Sequence, residues 1–474
     1  MPLRKKFHLI RIWPNNEGIE QAFCLIMQIL KRPYLGHYVH EIRYHGRPNR
    51  TGLWQNEVNG QDPRDLTDSE LNLLEQGIER AGFTGAEREN VLSMAVQKTT
   101  SDGLGHRHYY NGLNISLPGI YTAQALAVIL IPMAPNLASM AMTQPYSPLS
   151  EDPEIFPLKA FLLRANSNPD NLPYLRNLRK VYVMVDQSGD FRCRDDERFY
   201  VHIDFLDCFR FFDRLPSITT VSVDALTDDE EHEPTVQPSQ SNLAELCITR
   251  SNISTPYMAL AILSCKVLKR FQYSIGGRIE RGEKSLNKKT LAKALLVHKE
   301  SLEILDVDVH IPHFALPWDE DDNLEEDFLD THKDTAGQFE EMDENDTYYD
   351  FLASIWDNSG TFKEFVALRH LSLGIDLLFY LVKSDSQMSS KMTNTRLVNG
   401  LPDNLESLCI RGHQRGRFPT WDKEIDALVA VFNSGSTNLK EIRGVDETII
   451  PSAHVYDEEW DVFWTLDHIG YGVD

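Results

Sequence analysis

The chain has 474 residues, a formal net charge of -24 and the apolar share of an ordinary folded protein. That charge repels nucleic-acid phosphate and anionic membrane surfaces, so neither is expected as a partner, and a protein partner is expected to present a basic surface. Six cysteines, at 24, 193, 208, 247, 265 and 409, form no Cys-x-x-Cys pair and no zinc-finger spacing with His, the pattern of a reducing compartment. The expected location is cytoplasm or nucleus.

The basic start, Met1 to Lys6, is not followed by a signal-peptide core. Asn16 to Lys31 reads as an amphipathic helix with Ile19, Phe23, Ile26, Met27 and Leu30 on one side. Residues 1–35 are expected to be a helical cap without a repeat. Val39-His-Glu-Ile42-Arg-Tyr44 then reads as a short strand. Thr67-Asp-Ser-Glu70 and Thr84-Gly-Ala-Glu87 each match a capping box, which places two inserted helices in 67–98. The run from Ala123 to Met133 is too short to span a bilayer and ends at Pro132 and Pro135. It leads into Leu137-Ala-Ser-Met140-Ala-Met142.

The next phrase is Leu178-Arg-Lys-Val181-Tyr-Val183. Between Asp204 and Arg214 a helix is expected to bury Phe205, Phe209 and Phe212 and to leave Phe211 outward. Ile218-Thr-Thr-Val221-Ser-Val223 follows, then a solvated loop over 227–241. Leu243-Ala-Glu-Leu246-Cys-Ile248 precedes a helix start at Thr255-Pro256. Leu268-Lys-Arg-Phe271-Gln-Tyr273, a helix from Lys288 to His298, and Leu302-Glu-Ile-Leu305-Asp-Val307 come next. The acidic stretch 319–346 has few core residues and reads as disordered. Leu368-Arg-His-Leu371-Ser-Leu373, Leu405-Glu-Ser-Leu408-Cys-Ile410 and Leu439-Lys-Glu-Ile442 complete the series. Residues 451–474, with aromatics around Trp460 and Trp464, are expected to cap the far end.

One phrase, apolar-x-x-apolar-x-apolar, recurs through these segments. Its alternating end makes a short strand with one buried face, and its first apolar residue anchors the turn before it. Asn or Ser often opens it, as at Asn136, Asn177, Asn242, Ser301, Asn404 and Asn438, where a short polar side chain can bond nearby backbone in the turn. Cys247 and Cys409, inside such phrases, are expected as small buried apolar groups. Spacings from 178 onward are 40, 25, 25, 34, 66, 37 and 34 residues. Regular leucine-rich repeats run about 20–29. The 66-residue gap fits one missed or looped-out repeat. Helix, loop and strand recur along the chain. The predicted fold is therefore α/β: an irregular leucine-rich-repeat solenoid over 36–450, right-handed, strands concave and helices convex. The competing reading is an ordinary α/β domain with a parallel sheet.

No phosphate-binding Gly loop and no nucleophile elbow is present. His106-Arg107-His108 lacks a completing Cys or carboxylate, and His310 and His313 are no better placed. No cofactor or metal site is expected, and an enzyme with an unrecognised site is the weakest alternative. The outward strand residues are the candidate protein-binding set: Lys180, Tyr182, Thr220, Ser222, Glu245, Gln272, Asp306, His370 and Ser372, with Cys247 and either Lys269 or Arg270 beside them. The chain is expected to be a monomer.

The helix and strand from Ile29-Leu30 to Tyr44, and Leu401-Pro402-Asp403-Asn404-Leu405-Glu406-Ser407-Leu408, resemble fungal proteins of F-box-like, leucine-rich-repeat architecture. The resemblance implies repeats that hold a substrate and an F-box that binds a Skp1-type adaptor of a ubiquitin ligase. No Leu-Pro-x-Glu-Leu start is seen in this sequence. The expectation is an F-box that was lost or that lies upstream of Met1.

Overall fold

In the computed structural model of the protein, the described residues are 3–13, 16–44, 62–98, 117–143, 145, 156–184, 201–202, 205–224, 226–227, 237–275, 286–309, 355, 360–382 and 397–452. Eleven strands form one open sheet. They are β1 (Leu9–Ile12), β2 (Glu41–Tyr44), β3 (Ser139–Thr143), β4 (Lys180–Met184), β5 (Thr220–Asp224), β6 (Glu245–Thr249), β7 (Arg270–Ser274), β8 (Ile304–Asp308), β9 (His370–Gly374), β10 (Ser407–Arg411) and β11 (Glu441–Arg443). Every neighbouring pair is parallel, and spatial order follows chain order from one edge to the other. A doubly wound sheet reverses direction at a switch point. This one never does, so the architecture is α/β and solenoid-like.

The register explains why the recurring phrase works. Ile10, Ile42, Met140, Val181, Val221, Leu246, Phe271, Leu305, Leu371, Leu408 and Ile442 are Cα partners in one continuous row. A second row, two residues on, runs from Ile12 through Tyr44, Val223 and Tyr273 to Ile410. Both rows face the helical layer, and all but Ile442 are buried. The first apolar residue of every phrase but the last, such as Leu178, Leu302 or Leu368, is buried beneath the entering turn, and Leu439 is half-buried.

Hydrogen bonds at the strand entries also run from repeat to repeat. The Asn177 amide donates to the Pro135 carbonyl at 2.9 Å, Asn404 to Val366 at 2.6 Å and Asn438 to Asp403 at 2.8 Å. Asn136 and Asn242 do the same, and Ser301 Oγ donates to the Leu268 carbonyl. These side chains therefore tie each turn to the one before it, rather than bonding only within their own turn.

The helices lie between strands in sequence. They include α1 (Asn16–Lys31), α2 (Asp68–Arg80), α3 (Gly85–Ala95), α4 (Leu117–Leu130), α5 (Pro157–Ser167), α6 (Thr255–Ser264), α7 (Lys288–Leu296), α8 (Ile375–Val382) and α9 (Pro419–Asn433). In α6 only Pro256 escapes burial, which matches a helix apolar on all sides. At α2 the expected capping box forms, with Thr67 Oγ1 accepting from the Glu70 amide and Glu70 accepting from the Thr67 amide.

Several expectations change. Residues 1–35 do contain a sheet strand: β1 pairs with β2, and Phe7-His-Leu-Ile10-Arg-Ile12 is the same phrase with all three apolar positions buried. The five apolar residues of α1 are buried as expected, but α1 joins β1 to β2 and belongs to the helical layer. Of the two readings of the 66-residue gap, a missed strand between its flanks in the sheet is excluded, because β8 pairs directly with β9; residues 310–354 lie outside the described residues. Thr84 makes no capping bond, and Glu87 instead receives Arg164 at 3.1 Å. Helix α6 starts one residue early, at Thr255, whose hydroxyl accepts from the Asn287 amide. Phe211 is buried with Phe209 and Phe212, because the helix ends at Arg210 and the turn swings it inward. The expectations at His106, His108, His310, His313, 319–346 and 453–474 lie outside the described residues, as does most of 227–241.

Candidate functional site

The face of the sheet turned away from the helices is made of the alternate strand positions. All nine residues expected to point outward lie on it, in two adjacent rows. Lys180, Thr220 and Glu245 are consecutive Cα partners, and Arg270 continues the row to Ile304 and His370. Tyr182, Ser222, Cys247, Gln272, Asp306 and Ser372 are consecutive partners in the next row. The choice between Lys269 and Arg270 falls to Arg270, since Lys269 precedes the strand. Lys180 and His370 are exposed, Thr220 is buried, and the rest are half-buried.

Cys247 and Cys409 also lie on this face and are half-buried, not core. The apolar flanks of their phrases hid the parity: each sits between two inward residues. Burial pushes the Cys247 thiol up, which makes it a poor nucleophile.

Polar contacts knit the face together. Thr220 Oγ1 donates to Glu245 at 3.1 Å, and Arg270 donates to Gln272 at 2.9 Å. Burial raises the Tyr182 phenol above its ordinary range, and the nearby Asp224 carboxylate adds to the effect. The phenol therefore stays protonated as a donor. Two groups screened from solvent, Arg270 Nε and Ser372 Oγ, have no hydrogen-bond partner among the described residues. A polar atom left so costs stability until something bonds to it.

Sequence reasoning missed a third row at the carboxyl ends of the strands. Asp224, with no exposed side-chain surface, takes both a 2.7 Å and a 2.6 Å bond from Arg250 in a bidentate pair. Thr249 Oγ1 donates to the same carboxylate at 2.8 Å. Arg411, at the end of β10, reaches across β9 to Asp306 at 2.7 Å and Asp308 at 3.3 Å. Gly374, its Cα partner on β9, has no side chain to block that path. Burial pushes the Asp308 carboxyl up, against the pull of Arg411. The available signal was parity alone: Asp224 and Asp308 stand two residues beyond Ser222 and Asp306.

The arrangement sets hydrogen-bond donors and acceptors in rows along one face. Among the described residues no group of three His, Cys, Asp or Glu is placed to hold a metal ion. Nor is any helix there long and apolar enough to cross a membrane. A cleft of about 390 Å³ under the last repeat is lined mainly by Leu401, Leu405, Leu428, Leu439 and short polar residues. It brings no acid and base together. Compared with known protein families, curated proteins and solved structures, the chain matches none.

Proposed function

We propose that this chain is an irregular leucine-rich-repeat protein, right-handed with concave strands, that acts without catalysis by binding a protein on the open face of its sheet. The observation that carries this reading is the uninterrupted in-register face. Its rows cross all eleven strands and are mostly polar, with Leu9, Ala141 and Ile304 as apolar members, which at ~4.8 Å per strand gives a strip roughly 50 Å long. Five strand residues span roughly 16 Å, so the strip offers on the order of 800 Å², about one partner's share of a standard protein–protein interface.

The charges on the strip are largely paired with each other. Asp224 has Arg250, Asp306 and Asp308 share Arg411, and Glu41 bonds Arg43 at 2.8 Å. The net charge of -24 therefore steers a basic partner from a distance, while the strip supplies neutral hydrogen bonding at contact. Tyr182, Gln272, Ser372 and the spare Arg270 donor are the central contact groups. The test is a photo-activatable cross-linker placed on the strip at Lys180 or His370, against the same group on the helical side.

A further inference from the structure

After β11 the chain turns sharply, loops out, and returns to run parallel to the end of β10 at Ile449. Gly444 makes the turn with φ of 80°, and a Cβ there would lie 1.8 Å from the Ile410 carbonyl oxygen, so only glycine fits. The Gly444 carbonyl faces the buried His413 ring, with Nδ1 at 3.2 Å, while Nε2 lies 2.9 Å from the Asp422 carboxylate of α9. Farther on, Ile449 bridges Arg411 at the end of β10, and the Gly412 amide donates to the Ile449 carbonyl at 2.8 Å. The Ser452 amide then donates to Asp308 Oδ1 on β8 at 3.0 Å. Asp308 and Arg411 are two strands apart, so 449–452 crosses the end of β9.

We propose that Gly444–Ser452 is a strap that closes over the carboxyl ends of β8 to β10 on the open face. It must unhook from Asp308 before a partner can occupy that part of the strip. The inference rests on the open face being the binding surface. Three features make the strap detachable. Its hook is one backbone hydrogen bond. Asp446, Glu447, Thr448 and Ile450 are exposed, so its buried side chains are only Val445 and Pro451. Asp308 keeps Arg411 at 3.3 Å when the strap leaves, so its carboxylate is not left bare in a buried site. Weakly packed elements of this kind open before the body of a protein does. Opening leaves Asp306, Asp308 and Arg411 for the partner.

The test uses the full chain with Ser452→Pro, which deletes the N–H that makes the hook, and Ser452→Ala, which keeps it. Hydrogen exchange is followed at the Gly412 amide, which reports strap closure, and at the Lys440 amide, which bonds Glu406 within the sheet at 2.7 Å. Alkylation of Cys409 and Cys247 by N-ethylmaleimide is followed in parallel. Ser452→Pro is expected to speed Gly412 exchange by at least about tenfold and Cys409 alkylation severalfold. Lys440 and Cys247 stay unchanged, and Ser452→Ala behaves as wild type. Unchanged Gly412 and Cys409 in the Pro variant would overturn the strap, as would a rise in all four reporters together. Neither readout needs a partner, so the strap can fail while the binding face stands, and the reverse.

Discussion

Asn404 joins two repeats with one side chain. Its amide reaches back to the Val366 carbonyl at 2.6 Å, a residue whose own side chain is exposed. Removing it with Asn404→Ala frees a carbonyl that water can reach, so the cost should be modest: about 1 kcal/mol of unfolding free energy by urea titration. The residue type was legible from the sequence, because Asn and Ser open so many of the phrases. The bond's destination was not, since only the register shows that the previous turn lies within reach.

His298 is a buried residue whose protonation state the packing fixes. The Leu268 amide donates to its Nδ1 at 3.4 Å, and its Nε2 lies 2.9 Å from the Ile262 carbonyl, so the neutral ring donates at Nε2. Burial lowers its pKa, and the bond to Ile262 opposes that only in part. A His with a folded pKa below its unfolded value of about 6.5 contributes stability that is fully present above that value. The contribution is lost as pH falls through the folded value. The difference in unfolding free energy between wild type and His298→Gln should therefore shrink as pH falls from about 7 to about 5. A constant difference would contradict the assignment.

At the scale of elements, each strand contributes mainly to its neighbours. Phe271 of β7 is fully buried between Leu246 and Leu305 in the inward row. Phe271→Ala should cost about 3–5 kcal/mol. Because each repeat packs mainly against the adjacent ones, the damage should stay local. Hydrogen exchange should rise across β6 to β8 and remain at wild-type levels in β1 to β3. Ten of the eleven strands announced themselves in the sequence because one phrase encodes both an anchor and an alternating strand. The strand β1 carries the phrase too, at Phe7, Ile10 and Ile12, but the helix before it, Leu3–Phe7, is only five residues long and too short for a periodic pattern to mark a repeat. Interval lengths could not say whether the 66-residue gap held another strand, because an insertion and a repeat lengthen a chain alike. The Arg411 to Asp306 pair joins residues 105 apart in sequence, a distance at which no local pattern survives.

At the scale of the molecule, an open sheet in chain order gives two faces with different duties. One face is consumed by packing against the helices. The other keeps a polar strip whose charges are mostly answered within the strip. The outward set could be picked from parity, since inward apolar residues fix which neighbours point out. Its third row escaped notice because Asp224, Asp308 and Arg411 stand at strand ends, past the last apolar residue. The strap from Gly444 to Ser452 escaped for a different reason: the backbone hydrogen bonds that hold it have no sequence signature.

The central claim is that this polar strip, not the helical side, meets a protein partner. Full-length chains carrying a photo-activatable cross-linker at Lys180, at His370, or at exposed Lys423 on α9 can be irradiated in cell extract and their adducts compared. Lys180 and His370 stand in one row, five strands apart, roughly 24 Å. Binding on the strip predicts that both trap the same protein and that Lys423 does not. Adducts at Lys423 with none at Lys180 or His370 would contradict it.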